Sequence, residues 1–444
     1  MRIFDWTSLD ESGRRAALTR PNAASRDEVS GIARDLIAQV RLDGDRALHE
    51  LTLRFDGAEP ATLEVSAGEF EEARRTVDAT QITALERALT NVQRFHQAQA
   101  PRPLLCETEP GVRCEQVIRP IGKVGLYVPA GTAPLPSAVV MLAVPARIAG
   151  CPVRILCTPP RRDGRAHPSV LVAAQLCGIE RVFKVGGAQA IAAMAYGTQT
   201  IPKVDKVFGP GNQWVTAAKL IVAGDPEGAA CDLPAGPSEV LVIADETARA
   251  GFVAADLLAQ AEHDPLAQAI LITTSRELAE EVGAEIHLQR AELKRSAILK
   301  QSLEWCRAIV VPDLETALEA ANVYAPEHLI LQVVNPRRAL ARVTNAGSVF
   351  LGPWSPEPIG DYCSGPNHVL PTSGAARTMS GLSVRDFVKT ISVQELTPAG
   401  LRALAPTAIT MARLEGLDAH ANAVIRRREL LDAASVDVAV GAGA

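Results

Sequence analysis

The stretch from Lys123 to Gly224 decides the fold: KVGLYVP (123–129), SAVVMLAVPARIAG (137–150), RILCTP (154–159), VLVAAQLCGI (170–179), RVFKVGG (181–187), AQAIAAMAYG (188–197), KVFGPG (206–211) and WVTAAKLIVAG (214–224). Short β-branched runs alternate with helix-like segments, the rhythm of βαβ units and a parallel sheet. A second series follows: EVLVIAD (239–245), the helical ARAGFVAADLLAQAEH (248–263), AILITTS (269–275), RAIVVP (307–312), HLILQVV (328–334) and GSVFLG (347–352), with helical patterns after Arg276 and Asp313. Two doubly wound, Rossmann-like α/β modules with parallel sheets are the simplest account.

Outward from this centre the texture changes. Before Lys123, Arg and Glu recur at helical spacing, which reads as helices covering a sheet edge or a partner. After Arg377 come short mixed pieces ending in RLEGLDAHANAVIRRRELLDAA (413–434), an amphipathic helix with no home in either module. Such an arm docks on another subunit. The expected layout is an N-terminal arm (1–25), a first module (26–122 and 236–376), a second module (123–235) and a C-terminal dimerisation arm (377–444), both ends being small helical extensions.

A chain of 444 residues, 47% hydrophobic and 22% charged, has ample material for a core and none of the bias of a disordered tether. Its 45 Lys and Arg against 51 Asp and Glu are scattered, which argues against nucleic acid as a partner. The first residues contain no apolar core of signal-peptide length, and the stretch from Leu135 to Ala146 is too short and proline-interrupted to span a bilayer. A cytoplasmic protein without membrane contact is expected. Eight cysteines without a C-x-x-C pair suggest neither a zinc ribbon nor a disulfide framework, and read mostly as small core residues.

Four places carry candidate chemistry. In FVAADLLAQAEHDP (252–265), Phe252, Val253, Leu257, Leu258 and Ala261 form an apolar stripe, Gln260 lies on its flank, and His263, three residues on, faces the same way. A buried amide needs a partner, and a metal is one; a capped or hydrogen-bonded helix end is the plainer reading of His263. In YAPEHL (324–329), Pro326 discourages helix at Ala325 and leaves Glu327 and His328 in a turn entering a strand. An acid beside an imidazole suits proton transfer, although a surface pair would look the same. The run GPWSPEPIGDYCSGPNHVLPTSGAARTMSGLSVRDF (352–387) embeds Asp361 and His368 in a long loop whose Trp354, Tyr362, Val369 and Leu370 argue for packing over disorder. RLEGLDAH (413–420) offers Glu415 and His420 on the arm.

No G-x-G-x-x-G is present, because Trp214 stands where GPGNQW would need its third glycine. GLYVPAG, VGGAQA and GPGN nevertheless follow expected strands, at the carboxyl edge where open parallel sheets receive ligands.

Read together, AQAEHDPLAQ, YAPEHL, IGDYCSGPNHVLPTSGAAR, SGLSVRDF, GPGNQWVTAAK, DLPAGPSE and RLEGLDAHA resemble the histidinol dehydrogenase family from about Val29 to Ala434. The resemblance implies zinc held by Gln260, His263 and Asp361, with His420 supplied by the other subunit of a homodimer. It implies substrate contacts from Ser238, Gln260, His263, His328, Asp361, Glu415 and His420, with His328 as general base and Glu327 activating water. It further implies NAD contacts from Tyr127, Gln189 and Asn212, and oxidation of L-histidinol to L-histidine through L-histidinal with reduction of two NAD. Relatives often carry Tyr or Phe at the position of Trp214. Two other readings stay open: a related dehydrogenase acting on another small polar alcohol, against which Glu415 and His420 count, and a zinc hydrolase in which Glu327 would activate metal-bound water.

Overall fold

The computed structural model describes residues 1–21, 26–130, 133–233 and 236–441. The first sheet runs Arg2–Asp5, Arg307–Val310, Gln268–Thr273, Glu239–Ala244, His328–Gln332, Ser348–Leu351, and every paired neighbour is parallel. Glu239–Ala244 and Gln268–Thr273 are buried at every position, which is why they read as continuous apolar runs rather than alternating ones. Chain order reverses between Glu239–Ala244 and His328–Gln332, the switch point of this sheet.

The second sheet runs Arg181–Lys184, Val153–Thr158, Lys123–Tyr127, Lys206–Phe208, Ala230–Cys231, again all parallel. Its switch point lies between Lys123–Tyr127 and Lys206–Phe208. The intervening helices Pro136–Ile148, Pro168–Leu176 and Gly187–Tyr196 are mostly buried, and Gln213–Ala223 buries one face through Val215, Ala218, Lys219 and Val222. Two doubly wound α/β modules are thus present.

Packing differs from the expected boundaries in three places. Arg2–Asp5 is the edge strand of the first sheet, paired with Arg307–Val310, and not part of a free arm. The helices between residues 26 and 100 cover the second module instead of belonging to the first. Arg26–Asp43 packs on Gly187–Tyr196 and Gln213–Ala223, Ala67–Thr76 on Pro168–Leu176, and Ala79–Gln99 on Pro136–Ile148. The apolar stripe Leu36, Ile37, Val40, Leu48 and Leu51 merges there with the core, while Leu63 and Val65 hydrogen-bond to the sheet edge.

The third difference is a hairpin, Leu104–Glu109 and Val112–Pro120, which joins Val388–Leu396 in a separate three-stranded sheet. With helices Pro398–Leu414 and Asp418–Gly441 it forms a second compact unit, Pro101–Arg119 and Val388–Ala444. Residues 377–387 stay with the main unit, where Phe387 stacks on Phe208 at 4.0 Å. The second unit has a thin helical core of Ala405, Ile409, Ala412 and Ala421, and leaves Met411, Leu414, Leu417 and Leu430 exposed.

All eight cysteines are free; Cys151, Cys157, Cys177 and Cys306 are buried, whereas Cys106 is exposed and the others are intermediate. No helix among the described residues is long and apolar enough to cross a membrane.

Candidate active site

His328 is the first residue of its strand, and Glu327 lies just before it. The helix Leu314–Tyr324 ends at Ala325, whose left-handed backbone (φ 54°, ψ 68°) turns the chain, and Pro326 prevents the helix from continuing. The turn read from YAPEHL is therefore present. At the neighbouring strand start, the Glu239 N–H donates to Glu327 Oε2 at 2.9 Å, and the Glu239 carbonyl lies 3.2 Å from His328 Nδ1.

Helix Glu357–Tyr362 sits inside the run read above as a loop, and puts Glu357 and Asp361 four residues apart on one face. His328 Nε2 is 3.4 Å from Asp361 Oδ1, and Nδ1 is 3.9 Å from Glu357 Oε1 and 3.7 Å from Glu327 Oε2. Gln260, fully buried on helix Ala250–Ala261, satisfies its neighbours with its amide nitrogen toward Glu357, 3.1 and 3.2 Å from the two oxygens. Glu357 was not foreseen. Its signal was Pro356 and Pro358 opening a short helix, with an acid at the right spacing from Asp361. Val369 and Leu370 are buried as expected, but Trp354 and Tyr362 are exposed.

Burial pulls the His328 imidazole down, yet Glu357, Glu327 and Asp361 outweigh it and raise its pKa well above the ordinary value. Burial pushes Glu327 up to about 8, helped by Glu239 and Asp361. Burial also works against ionised Asp361, but His328, His368 and His263 hold its pKa below the ordinary value. Burial lowers both His263 and His368, favouring neutral imidazoles.

His328, Glu357 and Asp361 bring ligand atoms within 4.8 Å of one another, a group able to hold a cation. Of the expected metal ligands only Asp361 belongs to this tight group. Gln260 touches it, and His263 lies just past the helix end, lining the same cleft. A divalent cation fits this donor set of neutral imidazole, amide and ionised carboxylate, and His328 Nε2 and His368 Nε2 are buried without a hydrogen bond.

The cleft holds about 1760 Å³ and is lined by Ser238, His263, Glu327, His328, Asp361 and His368 at one end. Tyr127, Gln189 and Asn212 line it elsewhere. The volume exceeds the usual range of about 300–1,000 Å³ for a small-ligand site, so a second, larger molecule has room. The carboxyl edge of the second sheet, read as the ligand edge, does face the cleft. The first sheet instead contributes the amino ends of Glu239–Ala244 and His328–Gln332.

The three loops of the second module are tied together. The Tyr127 hydroxyl accepts the Gly187 N–H at 3.0 Å, and Asn212 caps helix Gln213–Ala223 by accepting from Trp214 and Val215 N–H groups. Gly209 has φ +128°, and a Cβ there would lie 2.1 Å from the Tyr127 carbonyl oxygen, so only glycine fits. Gln189 is buried in the first turn of helix Gly187–Tyr196. Glu415, the C-cap of Pro398–Leu414, and His420 on Asp418–Gly441 belong to the second unit and are exposed there.

The family profile described as histidinol dehydrogenase matches residues 19–428. A histidinol dehydrogenase of Vibrio vulnificus (strain CMCP6) is 52% identical over 433 residues, 98% of this chain and 100% of that protein. One of Xanthomonas campestris pv. campestris (strain 8004) is 54% identical over 427 residues, 96% of this chain and 99% of the relative. The crystal structure of histidinol dehydrogenase from Elizabethkingia anophelis superposes with a TM-score of 0.93 at 42% identity, covering 97% of this chain and 99% of the other. The family profile and these relatives cover nearly the whole chain, and the chain belongs to the histidinol dehydrogenase family of oxidoreductases.

Proposed function

We propose that this enzyme oxidises L-histidinol to L-histidine through L-histidinal, reducing two NAD, as a step of histidine biosynthesis. The observation that carries the reading is His328: its imidazole is enclosed by Glu327, Glu357 and Asp361 in a cleft that Tyr127, Gln189 and Asn212 also line.

In the first oxidation His328, neutral because a bound cation would offset the carboxylates that otherwise raise its pKa, takes the hydroxyl proton of the alcohol while hydride leaves its carbon for NAD, giving the aldehyde. Glu327 then takes a proton from water as its oxygen adds to the aldehyde carbon, while the His328 imidazolium gives its proton to the carbonyl oxygen, forming the hydrate. His328, neutral again, accepts a second hydroxyl proton as a second hydride passes to another NAD, and the carboxylic acid so formed releases its own proton to solvent as the carboxylate. Keeping the reactive amino aldehyde enclosed suppresses side reactions, and the buried surroundings of His328 and Glu327 suit that task.

Gln260, His263 and Asp361 of one subunit, with His420 of its partner, would hold zinc, which when bound fixes the substrate's nitrogens and offsets the local carboxylate charge. Ser238 and Glu415 would complete the substrate pocket. Sharing the site between two copies accounts for exposed Glu415 and His420 and for the apolar residues left open on the second unit. Tyr127, Gln189 and Asn212 would receive NAD at the carboxyl edge of the second sheet, where the N-terminus of Gln213–Ala223 favours a pyrophosphate.

Absorbance of NADH is the test. Histidinol with NAD is expected to give NADH, a chelator to abolish it and zinc to restore it. Hydrolysis of an ester or amide without NADH would favour a zinc hydrolase instead.

A further inference from the structure

Among the described residues only Ala325 and Ser373 combine a side chain with positive φ, at 54° and 57°. A Cβ disfavours this conformation, so neighbouring structure must hold it. Both residues bear on one buried carboxylate, Glu239.

Arg20 donates from Nε to Glu239 Oε2 at 2.5 Å and from Nη2 to Oε1 at 3.1 Å. The same Nη2 reaches the carbonyls on either side of the strained turn, Tyr324 at 2.8 Å and Ala325 at 3.4 Å. The guanidinium lies over the Tyr324 ring, 3.8 Å from its centre. The Tyr324 hydroxyl donates to Glu239 Oε2 at 2.7 Å, and the Ser373 N–H donates to Oε1 at 2.9 Å. Through its backbone, Glu239 meets Glu327 Oε2 and His328 Nδ1.

Arg20, Glu239 and Tyr324 do not line the cleft. A buried ion pair is weak evidence of stabilisation, because an apolar replacement often serves as well. Here its hydrogen bonds end on the carbonyls of the turn that delivers Glu327 and His328. We infer that Arg20, Glu239 and Tyr324 are positioning residues, which clamp Ala325 in its left-handed conformation and so set the two reacting side chains. This rests on the reading of Glu327 and His328 given above.

Steady-state rates of the zinc-loaded enzyme test it with Arg20→Met, Ala325→Gly, the double variant and His328→Ala. Misplacing reacting groups lowers turnover steeply, so Arg20→Met is expected to lower kcat by about tenfold or more with KM for histidinol within about twofold. Glycine adopts the left-handed turn without a clamp, so Arg20→Met/Ala325→Gly is expected to recover kcat by about threefold over Arg20→Met. A purely structural role gives no such recovery. A folded Arg20→Met enzyme with normal kcat, or a double variant that recovers nothing, overturns the clamp. If Arg20→Met gives no cooperative melt, Tyr324→Phe replaces it, and normal kcat there counts against the clamp equally. His328→Ala separates the two levels: inactive alongside a normal Arg20→Met enzyme, it overturns the clamp alone; active, it overturns the reading beneath it.

Discussion

Glu327 hangs from the main chain of Glu239, whose N–H meets its carboxylate at 2.9 Å at the start of the neighbouring strand. Amino ends of parallel strands carry N–H groups with no partner inside the sheet, and this one is used to aim an acid. The same strand start brings the carbonyl of Glu239 to His328, so one residue's backbone serves both groups.

That arrangement separates the roles of the two side chains. Glu327→Gln is expected to slow overall conversion of histidinol to histidine by about a hundredfold while the first hydride transfer, read as the single-turnover burst of NADH, changes by less than about threefold. A burst slowed as severely as in His328→Ala would mean that the two share one task.

Titration of Glu327 affects stability of the metal-free protein. Its folded pKa is raised to about 8, so the folded state keeps a proton that the unfolded chain has released. Stability is therefore fully present below the ordinary carboxyl range and falls as pH rises toward about 8; raised His328 has the same sign. Thermal midpoints of metal-free enzyme are expected to fall between about pH 6 and pH 8, with a shallower fall in Glu327→Gln. A midpoint that climbs over this interval, or a slope untouched by the substitution, contradicts the assignment.

Asn212 uses its side-chain oxygen as a helix cap. Asn212→Ala is expected to lower stability by about 1 kcal/mol, seen in denaturant unfolding, and to raise KM for NAD more than KM for histidinol. Asn212→Asp should keep the cap. Equal rises in both KM values would place Asn212 outside the dinucleotide end of the cleft.

A shared site predicts complementation. His328→Ala and His420→Ala homodimers are each expected to be nearly inactive, whereas the mixed dimer regains one working site from His328 of one subunit and His420 of the other. A purified heterodimer with no more activity than its parents would exclude sharing.

Much of this was legible in the residues because local physics decides it. The apolar runs of both sheets and the turn at Pro326 depend on neighbours in sequence. What stayed hidden depends on distant partners. Nothing near Leu104 says that its hairpin will join Val388–Leu396, and nothing in the stripe of Leu36, Ile37 and Val40 says which module it will cover. Glu357 was obscured by proline-rich surroundings that read as loop, although those prolines begin a helix. The loops at the carboxyl edge of the second sheet line the cleft, whereas the first sheet brings Glu327 and His328 to it from the amino ends of its strands, which no single segment could reveal.

The stoichiometry of a single site over a complete reaction bears most directly on the central claim that His328 and Glu327 serve two successive oxidations. With zinc-loaded enzyme, excess NAD and limiting histidinol, about two NADH per histidinol are expected, with histidine as the product and no free aldehyde trapped by a carbonyl reagent. One NADH per histidinol, with the aldehyde released, would contradict it.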